Sequence, residues 1–344
     1  MALGAAALAA TLALGACAST DASTDASGGG KTVTLSLIAY STPQAAYEKL
    51  IKAFQQTPAG KNVKFTQSYG ASGDQSRAVA SGLPADYVAF SLETDMTRLV
   101  DAKIVAPTWN SDAHKGMVTD SVVSLVTRKG NPKNIQTFAD LAKPGVDVIT
   151  PNPFSSGSAR WNIMGAYGSQ LKEGKTEAEA TAYLSKMLHN VSVQDDSGRA
   201  ALQTFTGGKG DVLISYENEA IFAQQNGQAI DYTVPDTNIL IENPIAITTN
   251  SAHPTEAKAF LDFLHTAAAQ KIYADSGYRP VVAGVGGPNF PTPSQLLTIK
   301  DLGGWSKVNK DLFDPTSSVM ASIEQSLGVA TSAAPSTSAS PTAK

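Results

Sequence analysis

Four times along the chain, an extended apolar run stops at a short Ser/Gly turn and a helical pattern starts at once. The clearest instance is Val146-Asp147-Val148-Ile149-Thr150, followed by Pro151-Asn152-Pro153-Phe154-Ser155-Ser156-Gly157-Ser158-Ala159-Arg160-Trp161-Asn162. Two prolines stop the strand because proline cannot donate to a central ladder. Serine is a preferred N-cap, and the first turn of any helix carries N–H groups with no intrahelical partner. Alone, the stretch reads as a capped helix. Those same N–H groups, aligned with the helix dipole, also suit an anion.

The recurrence fixes the class of fold. Thr32 to Tyr40 reads as a strand, broken by Ser41-Thr42-Pro43, and the next helix puts Ala46, Leu50, Ile51 and Phe54 on one face. Val63 to Ser68 is a second strand, Tyr69-Gly70-Ala71-Ser72-Gly73-Asp74-Gln75 a second turn, and Asp86 to Ser91 a third strand. The order β-α-β-α-β implies an α/β architecture with a parallel, doubly wound sheet and ligand sites beyond the carboxyl ends of its strands. Beyond Val122–Arg128 and a helical Thr137–Ala142, the grammar returns. Strands at 146–150, 191–194 and 211–215 alternate with helices at 159–171, 176–189 and 200–205, with Gly198 in the last turn. Asn238 to Thr248 is extended, and two late helices span 256–265 and 267–274. If Val122–Arg128 and Asn238–Thr248 both cross between the halves, lobe I is 31–120 plus 242–329 and lobe II is 121–241. The cleft between them is then a ligand pocket.

The chain has 344 residues, enough for two domains, with 26 basic and 30 acidic residues and a net charge of −4. No basic face for nucleic acid follows from that balance. Residues 2–16 form an apolar run too short to span a bilayer, ending Leu14-Gly15-Ala16-Cys17. This is the pattern of a bacterial lipobox, with residues 1–17 as signal peptide and Cys17, the only cysteine, as the lipidation site. The n-region departs from the pattern, since no Lys or Arg occurs before Lys31. Residues 18–30 repeat Ser-Thr-Asp-Ala and end in glycines, which reads as a flexible tether, and residues 330–344 read as a disordered tail.

Catalytic and metal chemistry finds no candidates. His114, His189, His253 and His265 lack metal-ligand spacing, Asp195-Asp196 opens no calcium loop, and there is no Gly-x-Ser-x-Gly. Gly70-Ala71-Ser72-Gly73 lacks the lysine of a nucleotide phosphate loop. No metal or other cofactor is expected. What recurs is a supply of neutral donors at Ser41, Ser72, Ser156-Gly157-Ser158 and Gly198. A fully ionised tetraoxyanion accepts on every side, and charge-assisted hydrogen bonds are roughly twice as strong as neutral ones.

These stretches, with Arg128-Lys129-Gly130-Asn131-Pro132-Lys133, Gly210-Asp211-Val212-Leu213-Ile214, Glu217-Asn218-Glu219 and Tyr278-Arg279-Pro280, resemble the sulfate- and thiosulfate-binding receptors of bacterial ABC importers. The likeness runs from about Thr32 to Phe313. It implies a two-lobed type II periplasmic-binding-protein fold with a dehydrated anion in the cleft. It also implies a non-enzymatic monomer, outside the cytoplasmic membrane and held to it by lipid, that delivers sulfate or thiosulfate to an ABC permease. By motif, Ser72 and Ser156 give hydroxyls, while Ser41, Gly157, Ser158 and Gly198 give backbone N–H groups. Tyr216 stands where the family has an indole N–H. Three residues depart from the family pattern: Ser41 replaces an acidic residue, Ser158 a glycine and Tyr216 a tryptophan. Other readings are the same fold with molybdate, an extracytoplasmic sulfate-ester enzyme, and a module that keeps the fold without the ligand. A donor-only site disfavours phosphate, whose proton then faces another donor. An unpaired buried polar group costs about 1–3 kcal/mol, or roughly 5- to 150-fold in affinity.

Overall fold

The computed structural model describes residues 32–287 and 290–331. The expected signal segment with Cys17 and the tether lie outside the described residues, as does the expected tail beyond Thr331.

The first half alternates strand and helix: β1 (Val33–Tyr40), α1 (Gln44–Gln55), β2 (Val63–Gly70), α2 (Ser72–Ala80), β3 (Tyr87–Ala89) and α3 (Glu93–Asp101). β4 (Met117–Arg128) leads into the second: β5 (Val148–Pro151), α4 (Gly157–Lys172), α5 (Glu177–His189), β6 (Val191–Asp195), α6 (Gly198–Thr206), β7 (Val212–Tyr216), α7 (Glu217–Gln225) and β8 (Ile230–Thr233). The chain returns through β9 (Thr237–Ile247), α8 (Pro254–Leu264), α9 (Ala267–Asp275), β10 (Arg279–Pro280), β11 (Gln295–Leu297), α10 (Gly304–Val308) and α11 (Val319–Ser326). The expected helix at 137–142 is a 3-10 turn, Phe138–Ala142, closed by a Thr137–Asp140 capping box.

The two halves repeat one design. β1 pairs in parallel with β2 and β3, and β5 pairs in parallel with β6 and β7, so the spatial order is second–first–third in both. Each trio is then completed by an antiparallel strand from elsewhere in the chain. β9 lies beside β3, and β4 lies beside β7. β4 and β9 also pair with each other, Val122 opposite Leu240 and Asp120 opposite Glu242. One curled sheet results, in the order β2-β1-β3-β9-β4-β7-β5-β6.

Burial follows the apolar spacing. In α1, Ala46, Tyr47, Leu50, Ile51 and Phe54 face β1 and the late helices. The Phe260 ring of α8 packs against Phe65 at 4.7 Å, Phe54 at 5.1 Å and Tyr87 at 5.5 Å. Over the second half, Trp161, Met164, Tyr167, Leu184 and Met187 form the core with Leu302, Phe313 and Met320. Residues 295–326 therefore cover the second half of the sheet, whereas the sequence reading assigns them to the first lobe. The cause is local. β11 pairs with Thr237–Ile239, the end of β9 nearest α4, and Trp305 packs edge-on to Trp161 at 5.1 Å.

Candidate functional site

The ends of β1, β2, β3, β5, β6 and β7 bring the Ser/Gly turns to one place, and the seven sequence candidates meet there through close contacts. Ser41, half-buried after β1, accepts the Arg199 N–H at 3.4 Å. Gly198, just before Arg199, opens α6. A Cβ there would lie 2.7 Å from Ser158 Oγ and 3.2 Å from Thr42 Cγ2. Ser158 Oγ is 2.8 Å from Ser156 Oγ, and Ser156 caps α4 by accepting the Ala159 N–H. A Cβ at Gly157 would lie 2.7 Å from Ser91 Oγ. Ser91 Oγ is in turn 2.6 Å from Tyr216 Oη. The Ser91 N–H donates to Ser72 Oγ at 2.9 Å. Ser72, Ser91, Ser156, Ser158 and Tyr216 are all buried.

Three helices start at this point: α2 at Ser72, α4 at Gly157 and α6 at Gly198. Among the described residues, no hydrogen-bond acceptor faces the N–H of Gly157, Ser158 or Gly198. Buried N–H groups are ordinarily paired, and unpaired ones at helix starts suit an anion.

Four arginines near the site are matched to carboxylates. Arg77 pairs with Asp74, Arg98 with Asp95, Arg199 with Glu219 and Arg279 with Glu217. Burial pulls the Arg199 guanidinium down, and the Glu219 carboxylate more than offsets it, leaving Arg199 above its ordinary value. Burial also holds the Tyr216 phenol well above its usual range, so it keeps its proton. Backbone dipoles at the three helix starts add positive potential to the site. Among the described residues, no cluster of His, Cys, Asp and Glu side chains is arranged to hold a metal ion.

One candidate behaves differently from the sequence expectation. The Ser72 hydroxyl donates to Asp95 Oδ2 at 2.7 Å, so its single hydrogen is engaged inside the protein. Glu217 and Glu219 are salt-bridge partners: Glu217 binds Arg279 of β10, and Glu219 binds Arg199. Arg160 turns away from the site, to the Pro153 carbonyl, Asn309 Oδ1 and the Phe313 ring. Trp161 supports the site by donating Nε1–H to the Ser91 carbonyl at 2.7 Å.

Sequence reasoning missed Ser91, Thr42, Asp95 and Arg199. Ser91 carries a signal that was readable, because it follows β3 and precedes α3 in the same strand–Ser–helix grammar as Ser41 and Ser72.

The fold and this donor-lined junction are those of a solute-binding receptor. The chain matches the family described as bacterial extracellular solute-binding protein over residues 35–279, and it belongs to that family. It is 42% identical over 298 residues to the sulfate-binding protein of Synechococcus elongatus, covering 83% of this chain and 85% of that one. It is 35% identical over 292 residues to the thiosulfate-binding protein of Escherichia coli, covering 80% and 86%. Among solved structures, the sulfate-binding protein SubI from Mycobacterium tuberculosis H37Rv superposes with a TM-score of 0.80 at 44% identity, covering 82% of this chain and all of that one. These relatives are binding proteins.

Proposed function

We propose that this protein captures sulfate, or thiosulfate, outside the cytoplasmic membrane and delivers it to an ABC permease. The observation that carries the reading is the set of acceptor-less N–H groups at Gly157, Ser158 and Gly198, met by the Ser91 and Tyr216 hydroxyls. Such a site suits an anion that accepts from all sides and carries no proton of its own. The sulfate- and thiosulfate-binding relatives support the same chemistry.

Ser41, Ser156, Gly157, Ser158 and Gly198 form the proposed contact set, with Ser72 and Tyr216 supporting it: Asp95 takes the Ser72 hydrogen, and Tyr216 Oη reaches Ser91 Oγ. The proposed lobes meet along this seam, with β4 and β9 as the connections, and residues 295–326 belong with the second lobe. The protein works as a monomer, tethered through lipid on Cys17. No helix of the described residues is long and apolar enough to cross a membrane.

Small-angle scattering with and without sulfate tests the reading. Closure predicts a smaller radius of gyration with sulfate, and an unchanged radius together with no thermal shift rejects it. Release of the phenol from an aryl sulfate would favour the enzyme reading instead.

A further inference from the structure

Ser91, at the end of β3, is only 1% exposed and is held by both of its peptide groups. Its N–H donates to Ser72 Oγ at 2.9 Å, and its carbonyl accepts the Trp161 Nε1–H at 2.7 Å. With the backbone pinned, the side chain has one direction to take. Its Oγ lies 2.6 Å from Tyr216 Oη, and so near Gly157 that a Cβ on that residue would be 2.7 Å away. The Ser91 hydroxyl thus sits beside the acceptor-less N–H groups at the start of α4.

We propose that Ser91 is a specificity-determining residue of the oxyanion site, its hydroxyl donating to the bound anion while Tyr216 donates to it. The inference rests on the oxyanion reading above and names a contact that the motif comparison does not contain. Either hydroxyl can donate across this pair, and we assign the donor role to Tyr216 because a phenol is a stronger acid than an aliphatic alcohol. That leaves the Ser91 hydrogen with no acceptor among the described residues. Hydroxyls linked in this way polarise one another, which strengthens the outer bond. Ser72 then acts as a positioning residue: Asp95 takes its hydrogen, and its oxygen holds the Ser91 peptide. A fully ionised tetraoxyanion accepts the Ser91 hydrogen, whereas a protonated one presents its own hydrogen to a donor.

Calorimetry and thermal unfolding of the full chain, with sulfate and with phosphate, test this in wild type, Ser91→Ala, Tyr216→Phe and the double variant. Ser91→Ala should weaken sulfate binding about 10-fold, the loss of one hydrogen bond to a charged group. It should also reduce the preference for sulfate over phosphate, while the ligand-free Tm falls only by the cost of leaving the buried Tyr216 hydroxyl unpaired, a fall that the double variant recovers. Tyr216→Phe should weaken binding less and add little to Ser91→Ala, because it acts through that hydroxyl. Ser91→Cys keeps the side-chain shape at a somewhat larger size, replaces the hydroxyl with a weak donor, and gives the same readout if the alanine variant misfolds. Wild-type sulfate affinity in Ser91→Ala overturns the proposal, and so does a ligand-free Tm that falls in step with affinity. Fully additive losses overturn the relay. A wild type that binds neither anion overturns the oxyanion reading itself, and the proposal with it.

Discussion

Arg199 donates through Nη2 to the Thr42 carbonyl at 2.9 Å, while Glu219 grips the same guanidinium at 2.7 and 2.8 Å. The contact joins the start of α6 to the turn after β1, next to Gly198 and Ser41. The Arg199 guanidinium also lies 3.9 Å from the centre of the Phe222 ring. A planar fork can meet a carboxylate, a carbonyl and a ring together, which a lysine ammonium cannot.

Arg199→Lys should therefore weaken sulfate binding more than it lowers stability, since charge near Glu219 is kept and the clasp on Thr42 is lost. Glu219→Gln is the harsher change. Glu219 is 1% exposed on its side chain, and removing one partner of a buried pair costs about 3–5 kcal/mol. Urea unfolding and calorimetry of both variants separate the two effects. Equal affinity losses scaled to stability would leave the clasp without a role.

Gly157 is required by approach and not by an unusual φ, since it is absent from the positive-φ positions. Alanine there would place Cβ 2.7 Å from Ser91 Oγ and 2.9 Å from Leu92 Cγ, across the seam between the two halves. Gly157→Ala should lower sulfate affinity by at least about 10-fold. The protein should also lose about 1–3 kcal/mol of stability, because the added methyl group has to displace Ser91 and Leu92. A variant with wild-type stability and normal binding would contradict the close-packed seam.

Asp120 and Glu242 face each other across β4 and β9, with Arg279 in register on β10. Burial pushes the Asp120 carboxyl up to about 7; Glu242 adds to the rise and Arg279 opposes it. A carboxyl raised in the folded state binds more protons folded than unfolded, so stability falls as pH rises from about 4 through 7. Asp120→Asn should flatten that slope and stabilise the protein by about 2 kcal/mol at pH 8, with little effect near pH 4. Denaturant midpoints at pH 4, 6 and 8 measure it. A gain of the same size at all three pH values would point to packing.

The legibility of this chain follows from how local each determinant is. A Ser/Gly turn between a β-branched run and an amphipathic helix is set by neighbouring residues, so α4 and α6 and their caps at Ser156 and Ser197 could be read from short windows. Elements built from remote pairing could not. Gln295-Leu296-Leu297 has no local feature that says which end of β9 it will join, yet that pairing carries α10 and α11 onto the second half. Within the site, the backbone donors were legible because helix starts are. The side-chain wiring was not: Ser72 meets Asp95 across 23 positions, and Ser91 meets Tyr216 across 125. Nothing in a single sequence orders such pairs.

Titration calorimetry of the protein with sulfate, thiosulfate, phosphate and molybdate at pH 8 tests the central claim most directly. Sulfate or thiosulfate should bind tightest, with phosphate weaker by roughly 5- to 150-fold, the cost of leaving its proton facing a donor. Equal binding of sulfate and phosphate would contradict a site built from uncharged donors around the Gly157, Ser158 and Gly198 amides.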